Sequence, residues 1–164
     1  MGWIIVGAII SIPVLNIIAD AIVWCAKLKI KQEKARTKKE AEDIVKQLTS
    51  GKPLGRTQRA RLNSRLSEIQ MRDAGVEFFE WSTANDERVS TGPTGHKRLE
   101  GKIYRWDDPE HYPIIDADGT RGTPGQRPGC RCVARGIILQ KDYKVKAIQD
   151  KDGSIHYKIL RGRL

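Results

Sequence analysis

The hydrophobic positions of the chain change pattern twice along its length. From Trp3 to Ala26 they form an almost continuous apolar run, in which Asn16 and Asp20 are the strongly polar members. They then recur at helical spacing, and after Gly75 they form short runs between segments rich in Gly, Pro and Asp. The pattern predicts an α+β protein in three parts: an apolar, transmembrane-like helix (1–26), a basic helix and linker (27–55), and a small β-rich domain with long loops (56–164).

The apolar run is long enough to cross a membrane, because a helix rising about 1.5 Å per residue spans a hydrocarbon core about 30 Å thick. Trp3 and Trp24 lie near its two ends, as interfacial anchors do. Basic residues crowd only its C-terminal flank, so the positive-inside rule predicts that the body of an inserted protein is cytoplasmic. A secretory signal peptide is disfavoured, since no basic residue precedes the run.

The polar residues inside the run leave three interpretations open. Asp20 is costly at bilayer depth, so it could lie near the interface and snorkel or be protonated. Alternatively, Asp20 and Asn16 form hydrogen bonds across a seam between identical helices, which predicts a homo-oligomer. In the third interpretation, the run is buried in a large protein assembly and does not meet lipid.

Two amphipathic helices are predicted in the basic middle of the chain. The first covers about residues 27–48 and ends before a Gly- and Pro-containing linker. The second covers about residues 56–74, carries one apolar stripe and ends at Gly75. Five arginines lie mostly off that stripe: Arg56, Arg59, Arg61, Arg65 and Arg72.

The charge balance extends this picture to possible partners. The net charge is +10 at pH 7, enough to attract nucleic acid or an anionic membrane. The five arginines could bind phosphates of a nucleic-acid backbone, although no motif reads a base edge. A solvated face, an acidic protein partner, and attraction of the lysines after residue 26 to lipid headgroups are the alternatives.

The remaining sequence predicts five short strands. They cover residues 76–81, 102–106 and 133–139, followed by a hairpin of 143–148 with 154–160 around Asp152-Gly153. The stretch 107–128 is rich in Pro, Gly and Asp and predicts a long irregular loop. With 6% aromatic residues the core is thin, so something must hold this loop in place.

Four short motifs follow one another between Trp81 and Cys132: Asp-Glu-Arg-Val at 86–89, His-x-x-Leu-x-Gly at 96–101, Asp-Asp-Pro at 107–109 and Pro-Gly-Cys-Arg-Cys at 128–132. This ordered set resembles the phage Mu F-like minor head protein family, the phage head morphogenesis proteins, over about residues 56–136. The positions that match are Trp81, Asp86, Glu87, Arg88, Val89, His96, Leu99, Gly101, Asp107, Asp108, Pro128, Gly129, Cys130, Arg131 and Cys132.

The resemblance implies a minor virion protein that acts in capsid assembly with portal or capsid proteins, near packaged DNA. An apolar segment and a basic helix replace the longer portal-associated region expected at the front. Together with the head-protein motifs, the apolar helix suggests insertion in the host membrane when the genome is ejected. The alternative function is a membrane-anchored nuclease or toxin-like enzyme built on the same domain.

Three kinds of site could be built from the motif residues. The first is zinc bound by His96, Cys130 and Cys132, with Asp86 or His111 as fourth ligand, since Cys and His are zinc's usual donors. Three unevenly placed cysteines do not make a disulfide framework, so reduced thiols are expected.

The second is an enzyme site in which His96, Asp86, Glu87 and Asp108 supply acid and base groups. The third is a buried polar network that holds the strands together, with His96 and the cysteines packed behind it. We favour this network, and therefore a protein without catalytic activity whose single possible cofactor is structural zinc. Its predicted members are Trp81, Asp86, Glu87, Arg88, His96, Gly101, Asp107, Asp108 and Arg131.

Overall fold

The computed structural model describes residues 6–92 and 94–161, with side chains from residue 18 to residue 160. The chain divides into two compact units, Met1–Asp43 and Ile44–Leu164. The predicted α+β architecture is confirmed, and two short 3₁₀ helices (His96–Leu99 and Pro109–His111) accompany the main elements. These elements are α1 (Val6–Thr49), α2 (Arg56–Asp73), β1 (Phe78–Ser82), β2 (Ile103–Arg105), β3 (Val133–Ile137), β4 (Tyr143–Gln149) and β5 (Ile155–Arg161).

The long helix α1 contains the predicted basic helix and most of the apolar run. Asp20 and Trp24 are exposed on it. Within the described residues no helix is long and apolar enough to cross a membrane. The transmembrane helix predicted for residues 1–26 is thus not confirmed; the side chains before residue 18 lie outside what the structure describes. Trp3 and the side chain of Asn16 lie outside the described residues.

The strands form one antiparallel sheet in the order β3-β1-β2-β5-β4. All five predicted strands are present, with ends shifted by at most two residues. In the centre, Phe79 of β1 pairs with Tyr104 of β2 and with Gly136 of β3. A Cβ atom at Gly136 would lie 2.9 Å from Met71 Sδ of α2, so the absent side chain lets the helix approach the sheet closely.

Aromatic side chains on one face of the sheet form the core. Phe79 is fully buried and stacks on Trp106, with ring centroids 3.9 Å apart. Tyr104 and Tyr112 contact the same ring of Phe79 at 5.8 and 5.9 Å. Aromatic residues are few in this chain, and five of them, including Trp81, form one cluster that gives the small domain its apolar centre.

The predicted irregular loop between β2 and β3 is also present, and arginines hold it. Arg98 donates to the carbonyl oxygen of Ile114 at 2.6 Å and pairs with Asp152 of the β4–β5 turn at 3.1 Å. Arg121 donates to the carbonyls of Tyr112 and Asp152. The loop is therefore fixed to the hairpin by guanidinium groups.

We expect the Phe79→Ala variant to lose about 3–5 kcal/mol of unfolding free energy, because it removes a fully buried ring from the centre of this cluster. The matched control is Ile138→Ala, since Ile138 is 83% exposed and its truncation should change stability by about 0.5 kcal/mol or less. Urea denaturation of both variants measures the difference. Similar losses in the two would contradict the assignment of the core to this face.

Candidate metal centre

The structure brings together the three residues that the sequence predicts as metal ligands. His96 Nδ1 lies 3.3 Å from Cys132 Sγ and 3.5 Å from Cys130 Sγ. All three potential ligand atoms lie within 4.8 Å of one another. His96 and Cys132 are buried and Cys130 is half-buried, so the cluster lies at the edge of the core.

A glycine-dependent turn positions His96 at the start of its 3₁₀ helix. Gly95 N–H donates to the carbonyl oxygen of Gly92 at 3.1 Å. A Cβ atom on Gly95 would lie 2.4 Å from the carbonyl carbon of Thr91, so a side chain does not fit there. The Ser90 hydroxyl oxygen then accepts the His96 N–H at 3.1 Å, which fixes the backbone on which the imidazole is mounted.

A second tight turn delivers the cysteines. Cys130 N–H donates to the carbonyl oxygen of Arg127 at 3.1 Å, with Pro128 and Gly129 between them. Gly129 has φ 75°, and Pro followed by a left-handed Gly is the sequence signature of a type II turn. Cys132 directly precedes β3, so the sheet holds one end of the motif and the turn holds the other.

Packing orients the imidazole of His96. Its ring lies edge-on to Trp81, with centroids 5.8 Å apart and an interplanar angle of 82°. Its other nitrogen, Nε2, is buried and has no hydrogen-bond partner among the described residues. The hydrogen-bonding contacts of the ring are thus those that Nδ1 makes with the two sulfur atoms.

The thiols perturb each other's ionisation. Hydrogen bonds from Cys132 and then from His96 lower the pKa of Cys130 to about 4, although partial burial opposes the shift. The same contact with Cys130, together with burial, raises the pKa of Cys132. The pair therefore favours one thiolate on Cys130 and one neutral thiol on Cys132, and the thiolate is the form that binds metals.

A cavity of about 270 Å³ opens beside the cluster. Among the described residues its lining contains three arginines and no carboxylate. Two of these arginines are already paired, Arg131 with Asp86 at 2.6 Å and Arg127 with Asp116. The lining residues are Ala84, Arg88, Val89, Ser90, His96, Arg127, Pro128, Gly129, Cys130, Arg131 and Cys132.

Neither predicted fourth ligand joins the three. Asp86 accepts two hydrogen bonds from Arg131, both at 2.6 Å, and this contact holds the pKa of Asp86 below its usual value. His111 instead contacts Asp108 at 2.5 Å. Within the described part of the chain, the group able to hold a metal consists of His96 and the two cysteines.

The charged members of the polar network predicted around these residues are not buried, which corrects the sequence analysis. The side chains of Asp86 and Arg131 are 38% and 45% exposed, and those of Glu87 and Arg88 also face solvent. The predicted members Asp107 and Asp108 lie elsewhere, the former paired with Arg105 at 2.7 Å and the latter accepting a hydrogen bond from Tyr157 at 3.2 Å.

Two other predicted members, Trp81 and Gly101, lie next to a carboxylate that the sequence analysis missed. Gly101 N–H donates to the Trp81 carbonyl oxygen at 2.9 Å. The neighbouring Glu100 accepts hydrogen bonds from both the backbone N–H and the hydroxyl of Thr83, each at 2.5 Å. No local sequence signal marks Glu100, because Thr83 is 17 positions away and meets it through the fold.

The arginines of α2 are used mainly within the protein. Arg61 Nε donates to the Gln126 carbonyl oxygen at 2.8 Å, which attaches α2 to the loop before the cysteines. Arg65 and Arg72 lie 2.7 and 3.6 Å from the buried carboxylate of Glu68. The other two arginines of the set, Arg56 and Arg59, are exposed.

In protein treated with a chelator, we expect iodoacetamide to alkylate Cys130 at lower pH than it alkylates glutathione. The reason is that a lowered pKa keeps Cys130 as thiolate below the ordinary thiol pKa of 9.0, and this reactivity is lost only as the pH falls through the lowered value. Mass spectrometry of tryptic peptides separates Cys130 from Cys132. The His96→Ala variant should shift the pH dependence of Cys130 alkylation to higher pH, whereas His111→Ala should not. A Cys130 profile that coincides with glutathione would contradict this assignment.

The sequence has recognisable relatives. Residues 28–135 match the family described as Phage Mu protein F like protein, so the match begins inside α1, before the predicted boundary at Arg56. The chain is also 28% identical over 93 residues to an uncharacterized protein of Haemophilus influenzae. That alignment covers 57% of this chain and 18% of the relative, so the chain spans less than a fifth of the relative's length. No solved structure matches. Because the family match covers most of the chain, this protein belongs to the phage Mu protein F like family of phage head proteins.

Proposed function

We propose that the protein is a minor component of the phage head that acts in capsid assembly by contacting capsid or portal proteins. The observation that carries the proposal is the family match, which spans α2, β1, β2 and the Cys/His cluster. The match thus includes the elements that build the candidate site. We therefore propose that the candidate site acts within the phage head.

The arrangement of charged groups supports an architectural role over a nuclease or toxin-like enzyme. His96 is buried and its Nδ1 faces two sulfur atoms, so it is not grouped with the carboxylates that the nuclease hypothesis combines with it. Asp86 and Asp108 are engaged in pairs of their own, with Arg131 and with His111. Glu87 does not belong to the lining of the cavity.

The β3 edge of the sheet provides a surface for a protein partner. In the described sheet β3 is an outermost strand and pairs with β1 alone. Val133, the first residue of β3, is 54% exposed, and Ile138, which follows its end, is 83% exposed. An open strand edge flanked by exposed apolar side chains favours the addition of a strand or an apolar segment from another protein.

We expect quantitative mass spectrometry of purified particles, from the phage or prophage that encodes the chain, to find it at a low and reproducible copy number relative to the major capsid protein. The double variant Val133→Asp/Ile138→Asp should be incorporated several-fold less, because carboxylates at the β3 edge oppose docking of an apolar partner. Val145→Asp, at the opposite edge of the sheet, is the matched control. Absence of the wild-type chain from particles would reject the assignment to the head.

We further propose that contact with packaged DNA uses the β4–β5 hairpin more than α2. Lys146 and Lys158 are directly paired across the two strands, and Lys144 lies two residues along on the same face. All three are exposed. Like charges placed opposite each other in a sheet destabilise it, so a neighbouring polyanion would relieve the repulsion. Phosphate backbones supply such charge without sequence specificity.

We expect the triple variant Lys144→Gln/Lys146→Gln/Lys158→Gln to bind duplex DNA more weakly and with a smaller salt dependence. Each phosphate contact contributes about 0.9 to the slope of log affinity against log salt, so the slope should fall by about 2–3. Fluorescence anisotropy over a salt series measures it. Lys52→Gln/Arg56→Gln/Arg59→Gln removes the same charge around the start of α2 and should leave the slope nearly unchanged. A smaller slope in this control alone would assign the DNA contact to α2, as first predicted from the sequence.

A further inference from the structure

We propose that His96, Cys130 and Cys132 bind one zinc ion through Nδ1 and the two sulfur atoms, and that a fourth coordination position faces the adjoining cavity and is filled from solvent. The site consists of this chain's own side chains. It would stand whether or not the role in capsid assembly is correct.

The spacing of the donor atoms fits a tetrahedral zinc ion. With Zn–S near 2.3 Å and Zn–N near 2.0–2.1 Å, a tetrahedron places nitrogen and sulfur about 3.5 Å apart and two sulfurs about 3.8 Å apart. The observed distances from Nδ1 to the two Sγ atoms are 3.3 and 3.5 Å. All the donor atoms lie within 4.8 Å of one another, so little movement is needed to receive the ion.

The local backbone explains how the short Cys-x-Cys spacing can supply two ligands. Residues two apart in extended chain point to the same side. Cys130 leaves the Pro128-Gly129 turn and Cys132 leads directly into β3, and both sulfur atoms reach Nδ1 of His96, so the two side chains lie on the same side of the chain. Arg131, which lies between the two cysteines, pairs instead with the exposed carboxylate of Asp86.

The donor set selects the kind of metal. Zinc binding would release the proton of Cys132 to solvent, so the donors are two thiolates and an imidazole, soft to intermediate ligands that favour zinc over magnesium or calcium. No carboxylate lines the adjoining cavity among the described residues, so hard cations find no oxygen cage there. The metal would join the 3₁₀ helix of His96 to the end of the long loop, where regular backbone hydrogen bonding is sparse.

The fourth position distinguishes this site from a closed structural zinc site. The predicted candidates Asp86 and His111 are held by Arg131 and Asp108. A cavity of about 270 Å³ adjoins the three ligands and carries the exposed side chains of Arg88 and Ser90. Water, or a small anion attracted by the guanidinium groups, would complete a coordination shell of three protein ligands and one exchangeable ligand.

Metal analysis of the full-length chain tests the zinc site directly. The protein is purified under reducing conditions, equilibrated with zinc, freed of excess metal by gel filtration and measured by inductively coupled plasma mass spectrometry. We expect one zinc per chain. Wild-type protein that is folded by circular dichroism and retains no zinc would overturn the proposal without reference to any variant.

Substitutions then assign the ligands. Cys130→Ser and His96→Ala should each lower zinc content at least several-fold, whereas the matched controls Cys25→Ser and His111→Ala should retain one zinc per chain. Cys130 is half-buried, so its conservative replacement by Ser tests coordination with the least disturbance to packing. Full zinc occupancy in folded Cys130→Ser and His96→Ala variants would assign the metal to other residues and reject this site.

Cobalt substitution tests the open position. A Co²⁺-loaded chain should show thiolate-to-cobalt charge-transfer absorption and visible bands of tetrahedral intensity, both absent from Cys130→Ser. Added azide should shift the visible bands by displacing water. A tetrahedral spectrum that azide leaves unchanged would show a fourth protein ligand and overturn the open position, while the absence of thiolate bands would overturn the site itself.

Discussion

Hydrogen bonds from arginine side chains to backbone carbonyls hold the part of the domain that strands do not. Arg98, Arg121 and Arg127 donate to the carbonyls of Ile114, Tyr112 and Ile115, in the middle of the loop between β2 and β3. Tyr112 and Ile115 are buried there, and carbonyl groups taken from water without a partner are costly. A guanidinium group offers several donors in a fixed plane, so one side chain can satisfy a carbonyl and pair with a carboxylate together, as Arg98 does with Asp152. The aromatic core depends on this, because Tyr112 and Ile115 reach it only if the loop is held.

The short 3₁₀ helix His96–Leu99 connects that constraint to the candidate metal centre. In a 3₁₀ helix residues three apart lie on the same side, and here His96 and Leu99 are both buried. His96 faces the cysteines, Leu99 enters the core, and Arg98 reaches the loop. This single turn of helix therefore connects the small apolar core, the cysteines and the long irregular loop. Because the three side chains share this short helix, displacement of any one of them would also displace the other two.

Local sequence pattern predicted the elements well and their partners poorly. The strands and the hairpin turn at Asp152-Gly153 follow from alternation and turn chemistry, which act between neighbours along the chain, and the Cys/His grouping was proposed from donor chemistry. The 3₁₀ helix at His96 was missed because its sequence has no periodicity of its own. The Asp-Glu-Arg-Val motif was predicted to form a buried network, but Asp86 pairs with Arg131 at the surface. Which arginine meets which carbonyl, and where Glu100 meets Thr83, depends on tertiary approach that no local pattern records.

The positive charge of the chain illustrates the same limit. A net charge of +10 predicts attraction to polyanions, and the sequence points first to the arginines of α2. The fold uses Arg61, Arg65 and Arg72 in internal contacts, so much of that charge serves stability. The lysines of the β4–β5 hairpin differ from these arginines. Lys146 and Lys158 are exposed and directly opposite each other in the sheet, so their like charges repel. A planar guanidinium suits fixed hydrogen bonds inside the protein, and a mobile ammonium suits a diffuse phosphate partner. The division of basic residues between these two uses, more than their number, indicates where a polyanion would bind.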